Sequence, residues 1–337
     1  MNNNLPIDKI ICGDSATVLK QFPKNSINLV ITSPPYFQQR EYAGGEIGGE
    51  RIVDRYVDAI MEVFSECVRI TREDGSIVFN LGDKYQNSSL LLVPYRFALK
   101  ATEQEKVSLV NNITWVKTNP TPRQFNRRLV NSTEPFFHFV KTNKYYYNPD
   151  AFYTPPKEAK VAKQAPLSIK KNSGTKIGES YRELIASSEL STEEKKMAYK
   201  ELDEVIKEVK LGKIFSFRMK IRGIHSPAFG GQSGGRASQI KNKGYTIIRM
   251  SGKKLHPDVV ISAVEALKEY RHPAVYPQTI IENFIKLLTK PKDVVLDPFI
   301  GSGTTAVASK LLNRHYIGID INPAYVSMTE ERLEKLP

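Results

Sequence analysis

Asn28-Leu29-Val30-Ile31-Thr32-Ser33-Pro34-Pro35-Tyr36 is the stretch from which the rest of the chain can be read. Leu29, Val30 and Ile31 form a short apolar run of the kind buried at the centre of a sheet. Pro34 and Pro35 end it, because neither has an N–H to give a ladder and each fixes its own φ. The product is a rigid loop at the carboxy end of a strand, where open α/β sheets bind their ligands. On that loop Ser33 offers an acceptor oxygen, Pro34 a carbonyl and Tyr36 a flat ring. Together these groups can hold and polarise a planar amine. Alone, Ser-Pro-Pro-Tyr also reads as a proline-rich ligand for an SH3 or WW domain, or as a plain turn. Its meaning therefore rests on what the remaining chain supplies.

Working outward, Lys9 to Asp14 reads as a short strand ending in a Gly-Asp turn, with a helix from about Ser15 to Phe22. Residues 37–50 are glycine-rich and read as a mobile lid. Arg51 to Arg72 has a helical apolar period, with Ile60, Val63, Phe64 and Cys67 on one face. A strand at Ser76–Leu81, a helix from about Leu92 to Lys106, and strands at Ile113–Val116 and Pro135–Val140 follow. This alternation predicts an α/β sheet of parallel strands with an antiparallel edge. It breaks at Thr154-Pro155-Pro156. Residues 157–212 are polar and helical, with Ser191-Thr192-Glu193-Glu194 as a helix start. Residues 223–244 are rich in glycine, serine and basic side chains, which suits a loop that orders on a nucleic acid. Strand–helix order returns with a helix at Thr279–Leu288, a strand at Asp293–Asp297 and a helix running to Leu312. The strand His315–Asp320 and a last helix over about Ala324–Lys335 complete it.

The 337 residues are enough for a large core and two structural units, and no apolar run approaches the roughly 20 residues of a membrane span. Met1-Asn2-Asn3-Asn4 lacks a basic-then-apolar export pattern. Cys12 and Cys67 form neither a metal spacing nor a disulfide framework, so a reducing cytoplasm is expected. The formal charge of +13 is unevenly spread: Lys157 to Lys254 carries 22 Lys/Arg against 10 Asp/Glu, and Val209 to Pro257 has no acid at all. A one-sign block of that length is a polyanion footprint more than a solubility device.

Strand, Asp297, Gly301-x-Gly303, helix, strand, Asp320 is the layout of a nucleotide-cofactor site. The glycines let backbone approach the ligand, and an acid ending the next strand can hold ribose hydroxyls. The third glycine of a dinucleotide fingerprint and the lysine of a phosphate-binding loop are both absent, which disfavours NAD and ATP.

Asp297-Pro298-Phe299-Ile300-Gly301-Ser302-Gly303-Thr304-Thr305, taken with Thr32-Ser33-Pro34-Pro35-Tyr36, resembles the S-adenosylmethionine-dependent amino-methyltransferases of DNA. The catalytic loop precedes the cofactor loop with a basic insert between them, which resembles the permuted β-type arrangement. The resemblance implies a Rossmann-like, circularly permuted α/β sheet. Residues 1–154 would form its catalytic part, 155–256 a target-recognition insert and 257–337 its cofactor-binding part. The strands at Val294 and Tyr316 would be the first two of the family's sheet, and those at Ile10 and Leu29 the next two. Phe299, Gly301 and Gly303 would lie against the methionine end of the cofactor, Asp320 against its ribose and Asp14 against its adenine. His272-Pro273 resembles a segment closing over the methionine end. Thr32, Asp297, Pro298, Ser302, Thr304 and Thr305 complete the expected cofactor set. Asp14 also reads as a plain helix cap, and His272 as a loop histidine.

A methyl sulfonium is already electrophilic, so the enzyme's task is to make a conjugated amine nucleophilic and place it in line. Ser33 Oγ and the Pro34 carbonyl can accept the two amine hydrogens and free the lone pair. Attack at carbon-5 of cytosine would need a thiolate, and neither Cys12 nor Cys67 lies in a suitable loop. The base must be flipped out of the duplex and stacked. Tyr36 is the first candidate ring, and Phe137 and His138 read either as further rings or as core. In the family, serine at the first loop position goes mostly with cytosine, and Trp115-Val116-Lys117-x-Asn119-Pro120 also resembles members acting on cytosine. The N4 amine of cytosine in double-stranded DNA is therefore the expected target, with the N6 amine of adenine as the alternative. Arg218, Arg222, Arg236 and Lys241 are candidates for phosphate or guanine contacts. RNA, a protein glutamine amide and a catalytically silent DNA-binding subunit are the other readings. No metal is expected. A prokaryotic, nucleoid-associated protein, monomeric or homodimeric, with a cognate restriction endonuclease as a candidate partner, completes the expectation.

Overall fold

The computed structural model describes residues 5–39, 47–120, 127–151, 177–225, 235–250, 257–264 and 277–336. The His272-Pro273 segment and half of the expected lid, residues 40–46, lie outside them. The chain divides into two compact units, Met1–Thr154 with His256–Pro337, and Pro155–Leu255.

In chain order the first unit begins with β1 (Lys9–Cys12), α1 (Ser15–Leu19), β2 (Ile27–Thr32), α2 (Val53–Ile70) and β3 (Thr71–Asn80). A small ribbon, β4 (Tyr85–Gln86) and β5 (Ser89–Leu90), leads to α3 (Val93–Gln104), β6 (Ser108–Lys117) and β7 (Thr133–Val140). The second unit holds α4 (Glu179–Ser187), α5 (Thr192–Lys210), β8 (Ser216–Ile221), α6 (Arg236–Lys243) and β9 (Tyr245–Met250). The first unit resumes with β10 (Val259–Ser262), α7 (Gln278–Leu288), β11 (Val294–Asp297), α8 (Thr304–Leu311), β12 (His315–Asp320) and α9 (Pro323–Glu334).

The main sheet has the order β1-β12-β11-β2-β3-β7-β6-β10. Alternate residues of its strands point to opposite faces. Val30, Ile77, Phe79 and Leu296 join α1, α2 and α3 in one core, while Leu29, Ile31, Val78 and Val295 join α7 in the other. β11 pairs in parallel with β12 on one side and β2 on the other. The next strand after β11 lies to one side, and the next after β2 to the other. That reversal is a topological switch point, where a crevice opens at the carboxy ends of the strands.

The antiparallel strand is not at the edge. β7 lies inside the sheet, antiparallel to both β3 and β6, and the edge is β10, parallel to β6. The reason is visible in its side chains: Phe136 enters one core and Phe137 and Phe139 the other, so β7 is apolar on both faces. This arrangement is the permuted α/β sheet that the resemblance implies, with an inserted region of its own fold.

In the second unit, Phe217, Met219, Ile221 and Tyr245 of the β8–β9 ribbon pack with Leu202, Val205 and Ile206 of α5. Ser191 caps α5 in a reciprocal capping box with Glu194, as the Ser-Thr-Glu-Glu pattern predicts. The stretch expected to be a basic loop is helical from Arg236 to Lys243. Among the described residues, no helix is long and apolar enough to cross a membrane.

Candidate active site

Two loops leave neighbouring strands at the switch point, and one buried carboxylate ties them together. Asp297, at the end of β11, has no exposed surface. Its Oδ1 accepts the hydroxyl of Thr32, which ends β2 (2.6 Å), and the N–H of Phe299 (3.0 Å). Its Oδ2 accepts the hydroxyl of Thr305 in the first turn of α8 (2.7 Å). The loop after β2 and the loop after β11 are thereby held side by side.

The turn between β11 and α8 is braced from α9. Thr329 donates to the Gly301 carbonyl (3.0 Å), and Arg332 holds the Ser302 carbonyl. Gly303 has φ +80°, and a Cβ there would stand 2.6 Å from Thr329 Cγ2, so only glycine fits. The Oγ atoms of Ser302 and Thr304 pair at 3.2 Å, and Ser15 of α1 donates to the Pro298 carbonyl. Phe299 remains partly exposed beside the core.

Asp320 ends β12 and is less enclosed than Asp297. Its two oxygens accept the N–H groups of Gly301 and Asn322, each at 2.9 Å. Burial pushes its carboxyl above the usual aspartate range, and those two N–H groups oppose the shift. Asp14 caps α1: its Oδ1 accepts the Thr17 N–H (2.8 Å) and hydroxyl (2.7 Å), while the residue stays exposed.

The Ser-Pro-Pro-Tyr loop is fixed from below by α2, where the Tyr56 hydroxyl donates to the Pro35 carbonyl (2.7 Å). Pro34 and Phe37 are buried, and Ser33 and Tyr36 are half-buried. Ser33 Oγ lies 3.1 Å from the Tyr36 hydroxyl and 3.4 Å from Asn80 Oδ1. The Tyr36 hydroxyl in turn reaches Asn80 Oδ1 (2.7 Å) and Glu134 Oε2 (3.0 Å). Asn80 ends β3 and has no exposed surface, and Glu134 lies near the start of β7 with a small part of its surface open. Glu134 Oε1 is ion-paired with Lys117 at the end of β6, whose ammonium lies 4.8 Å from the Trp115 ring centroid. Gly82 closes on the Tyr36 ring, since a Cβ there would be 2.5 Å from its Cδ2 and Cε2.

Phe137 and His138 are core residues, 1 % and 0 % exposed, and neither presents a ring to a ligand. His138 Nε2 pairs with Ser76 Oγ (2.9 Å), its Nδ1 has no partner, and burial lowers its pKa to about 4. Burial pushes the Cys67 thiol upward, away from the thiolate that ring-carbon attack requires.

The four basic candidates of the insert separate. Arg218 is exposed on β8, and Arg236 and Lys241 are exposed on α6. Arg222 instead grips both oxygens of Glu194 at 2.9 Å and donates to the Lys241 carbonyl at 3.3 Å.

Asn80 and Glu134 are not singled out by any sequence motif, and Lys117 enters only as part of the Trp115–Pro120 segment, with no role of its own. Each is a polar residue near a strand end, which is a usable signal. The convergence of Asn80 and Glu134 on Tyr36 depends on β7 lying between β3 and β6, which no local pattern gives.

A model of DNA methylases matches residues 27–331 of the chain. The type II methyltransferase M.SfiI of Streptomyces fimbriatus is 25% identical over 376 residues, covering 94% of this chain and 88% of the relative. Among solved structures, the PvuII DNA methyltransferase (cytosine-N4-specific) shares the fold with TM-score 0.58 and 18% identity, covering 97% of this chain and 86% of that one. A Thermus thermophilus protein assigned as a DNA modification methylase, in complex with S-adenosyl-L-methionine, gives TM-score 0.52 and 17% identity, covering 97% and 93%.

Proposed function

This chain belongs to the DNA methylase family matched across residues 27–331, as a permuted, S-adenosylmethionine-dependent amino-methyltransferase, and we propose that its target is the N4 amine of a cytosine flipped out of double-stranded DNA. The observation that carries the amino-methyl reading is the Asp297 bridge, which holds the Ser33 loop beside the Gly301–Gly303 turn.

The cofactor cleft suits S-adenosylmethionine by its chemistry. Asp320 keeps acceptor capacity beyond its two N–H donors, which suits ribose hydroxyls. Its N–H partners are neutral, and residues 298–305 of the turn are small, apolar, hydroxylic or aromatic, with no lysine or arginine among them to match a triphosphate. Asp320 would hold the ribose, Phe299 and the Gly301–Gly303 turn the methionine end, and Asp14 the adenine through the oxygen that the helix cap leaves over. Pro298, Ser302, Thr304 and Thr305 shape that turn, and Thr32 and Asp297 align it with the catalytic loop. When bound, S-adenosylmethionine supplies an activated methyl group. Ser33 Oγ and the Pro34 carbonyl accept the amine hydrogens, drawing the nitrogen toward tetrahedral geometry and freeing its lone pair. Pro35 keeps the loop rigid through Tyr56, and Tyr36 closes one wall of the base pocket.

Serine at position 33 favours cytosine, and the cytosine-N4 specificity of the PvuII enzyme, a neighbour in fold, agrees. Residues 155–256 serve as the target-reading region, with Arg218, Arg236 and Lys241 on DNA. The type II methyltransferase among the relatives supports a place in a prokaryotic, cytoplasmic restriction-modification system with a cognate endonuclease. The test is incubation with methyl-labelled S-adenosylmethionine and mixed-sequence duplex DNA, then nucleoside mass spectrometry. N4-methylcytosine that disappears in Ser33→Ala is expected. N6-methyladenine would overturn the base assignment while keeping the loop's role.

A further inference from the structure

The hydrogen bonds around Ser33 run in one direction. Ser33 Oγ can donate to the Tyr36 hydroxyl at 3.1 Å, and that hydroxyl can donate to Asn80 Oδ1 at 2.7 Å or to Glu134 Oε2 at 3.0 Å. Asn80 Nδ2 donates to the Pro135 carbonyl (3.0 Å), which turns Oδ1 toward Ser33 and Tyr36. An amide oxygen can accept a hydrogen bond but does not serve as a base, whereas a carboxylate can both accept a hydrogen bond and take a transferred proton. The only carboxylate among the described residues that closes this chain is Glu134, 9 % exposed, with Lys117 holding its other oxygen. A mostly enclosed ion pair beside the candidate catalytic loop carries a desolvation cost that packing alone does not explain.

We propose that Glu134 receives the proton released by methylation, through Tyr36 and Ser33; the inference rests on the amino-methyltransferase reading of the Ser33 loop. The amine nitrogen forms its bond to the methyl carbon as the carbon–sulfur bond breaks and that electron pair goes to sulfur. The nitrogen is then cationic and carries one proton more than the neutral product. That proton moves to Ser33 Oγ, the Ser33 proton to the Tyr36 oxygen, and the Tyr36 proton to Glu134 Oε2. The amine ends neutral, and both hydroxyls end as they began. Glu134 later gives the proton to solvent as the site opens. Asn80 positions the two hydroxyls, and Lys117 aims Oε2 at Tyr36. In this arrangement Tyr36 acts through its hydroxyl as well as its ring, and Glu134 is a positioning residue that works through it.

The test compares single-turnover methyl transfer to a methylatable duplex by the full chain and by Glu134→Gln and Tyr36→Phe, in mixtures of light and heavy water. Tyr36→Phe keeps the ring against Gly82 and removes only the hydroxyl. Adding Lys117→Gln to Glu134→Gln removes the stranded ammonium if the single variant folds poorly. Both variants are expected to be slower by roughly 10- to 100-fold, with KM for cofactor and DNA within about twofold. The unaltered protein should show a rate that bends downward with deuterium fraction, as several protons in flight require, and the variants a straight dependence. Unchanged rates, or slower rates with the same curvature, would overturn the relay and leave the function standing. Absence of methyl transfer by the unaltered protein would overturn the amino-methyl reading and the relay with it.

Discussion

Asp297 and Asp320 end adjacent strands, and in sequence they have the same appearance: an acid closing a short apolar run before a turn. The structure treats them differently. Asp297 is sealed, with two side-chain hydroxyls and one backbone N–H on its two oxygens. Asp320 is partly open, holds one backbone N–H on each oxygen, and has its carboxyl pushed upward by burial. A saturated carboxylate is a brace, because exchanging any of its partners strands a buried donor. An under-saturated one beside a cleft has capacity for a ligand. Sequence position alone does not separate the two roles; the count of committed lone pairs does.

The contrast makes its largest prediction at Asp297. Asp297→Ala should cost about 3–5 kcal/mol of stability, since it leaves Thr32, Thr305 and the Phe299 N–H without their acceptor. Urea unfolding followed by Trp115 fluorescence measures it, and a loss under about 1 kcal/mol would remove the brace from the account.

A second buried polar group sharpens the comparison. His138 has one unpartnered ring nitrogen and a pKa lowered from 6.5 to about 4 by burial. The unfolded chain therefore binds more protons than the folded one between those values. Stability should be highest above pH 6.5 and fall by about 3 kcal/mol as pH drops to about 4. In His138→Gln that part of the slope should vanish. A slope that survives the substitution would place its origin in other groups.

At Asp320 the effect should appear in binding. Asp320→Ala is expected to weaken S-adenosylmethionine binding by roughly 10- to 100-fold, the worth of hydrogen bonds to a charged acceptor, with stability changed by less than about 1 kcal/mol. Hydroxyl donors favour the ionised carboxylate, so affinity in the unaltered protein should fall as pH drops through the raised Asp320 pKa. Calorimetry at several pH values reads both. Equal losses of stability and affinity would make Asp320 a second brace.

The smallest effects lie in the insert, where the same distinction between committed and uncommitted groups applies. Arg218→Ala should weaken DNA binding several-fold and reduce the salt slope by about 1. Arg222→Ala should leave that slope unchanged and cost at most about 1 kcal/mol, because its guanidinium is already paired with Glu194. Binding isotherms at several salt concentrations distinguish them, and identical slopes for the two variants would erase the division.

Several elements are legible in the sequence because their signals are local. The capping box at Ser191, the apolar face of α2 and the strand His315–Asp320 need only neighbouring residues to declare themselves. α6 reads as loop because glycine and serine flank a short basic run, and its order comes from contacts with β9, including Gln239 with Thr246 (2.6 Å). The β8–β9 ribbon is hidden because alternation of Phe217, Met219 and Ile221 with Arg218 and Lys220 first reads as charge. His138 reads as core before it reads as a base-stacking ring, and its burial decides for core.

By itself the sequence determined the alternation of strand and helix, the permuted order of the two loops, the concentration of positive charge between them and the absence of a suitably placed thiol. These follow from short-range rules: period, turn chemistry, composition and residue type. Only the tertiary structure decided that β7 enters the sheet between β3 and β6, and with it that Asn80 and Glu134 gather on Tyr36, with Lys117 paired to Glu134. Only it decided that Asp297 is spent internally while Asp320 is not. The physical reason is the same in each case. A hydrogen-bond partner far along the chain is chosen by which faces must be buried together, and that choice belongs to the whole sheet.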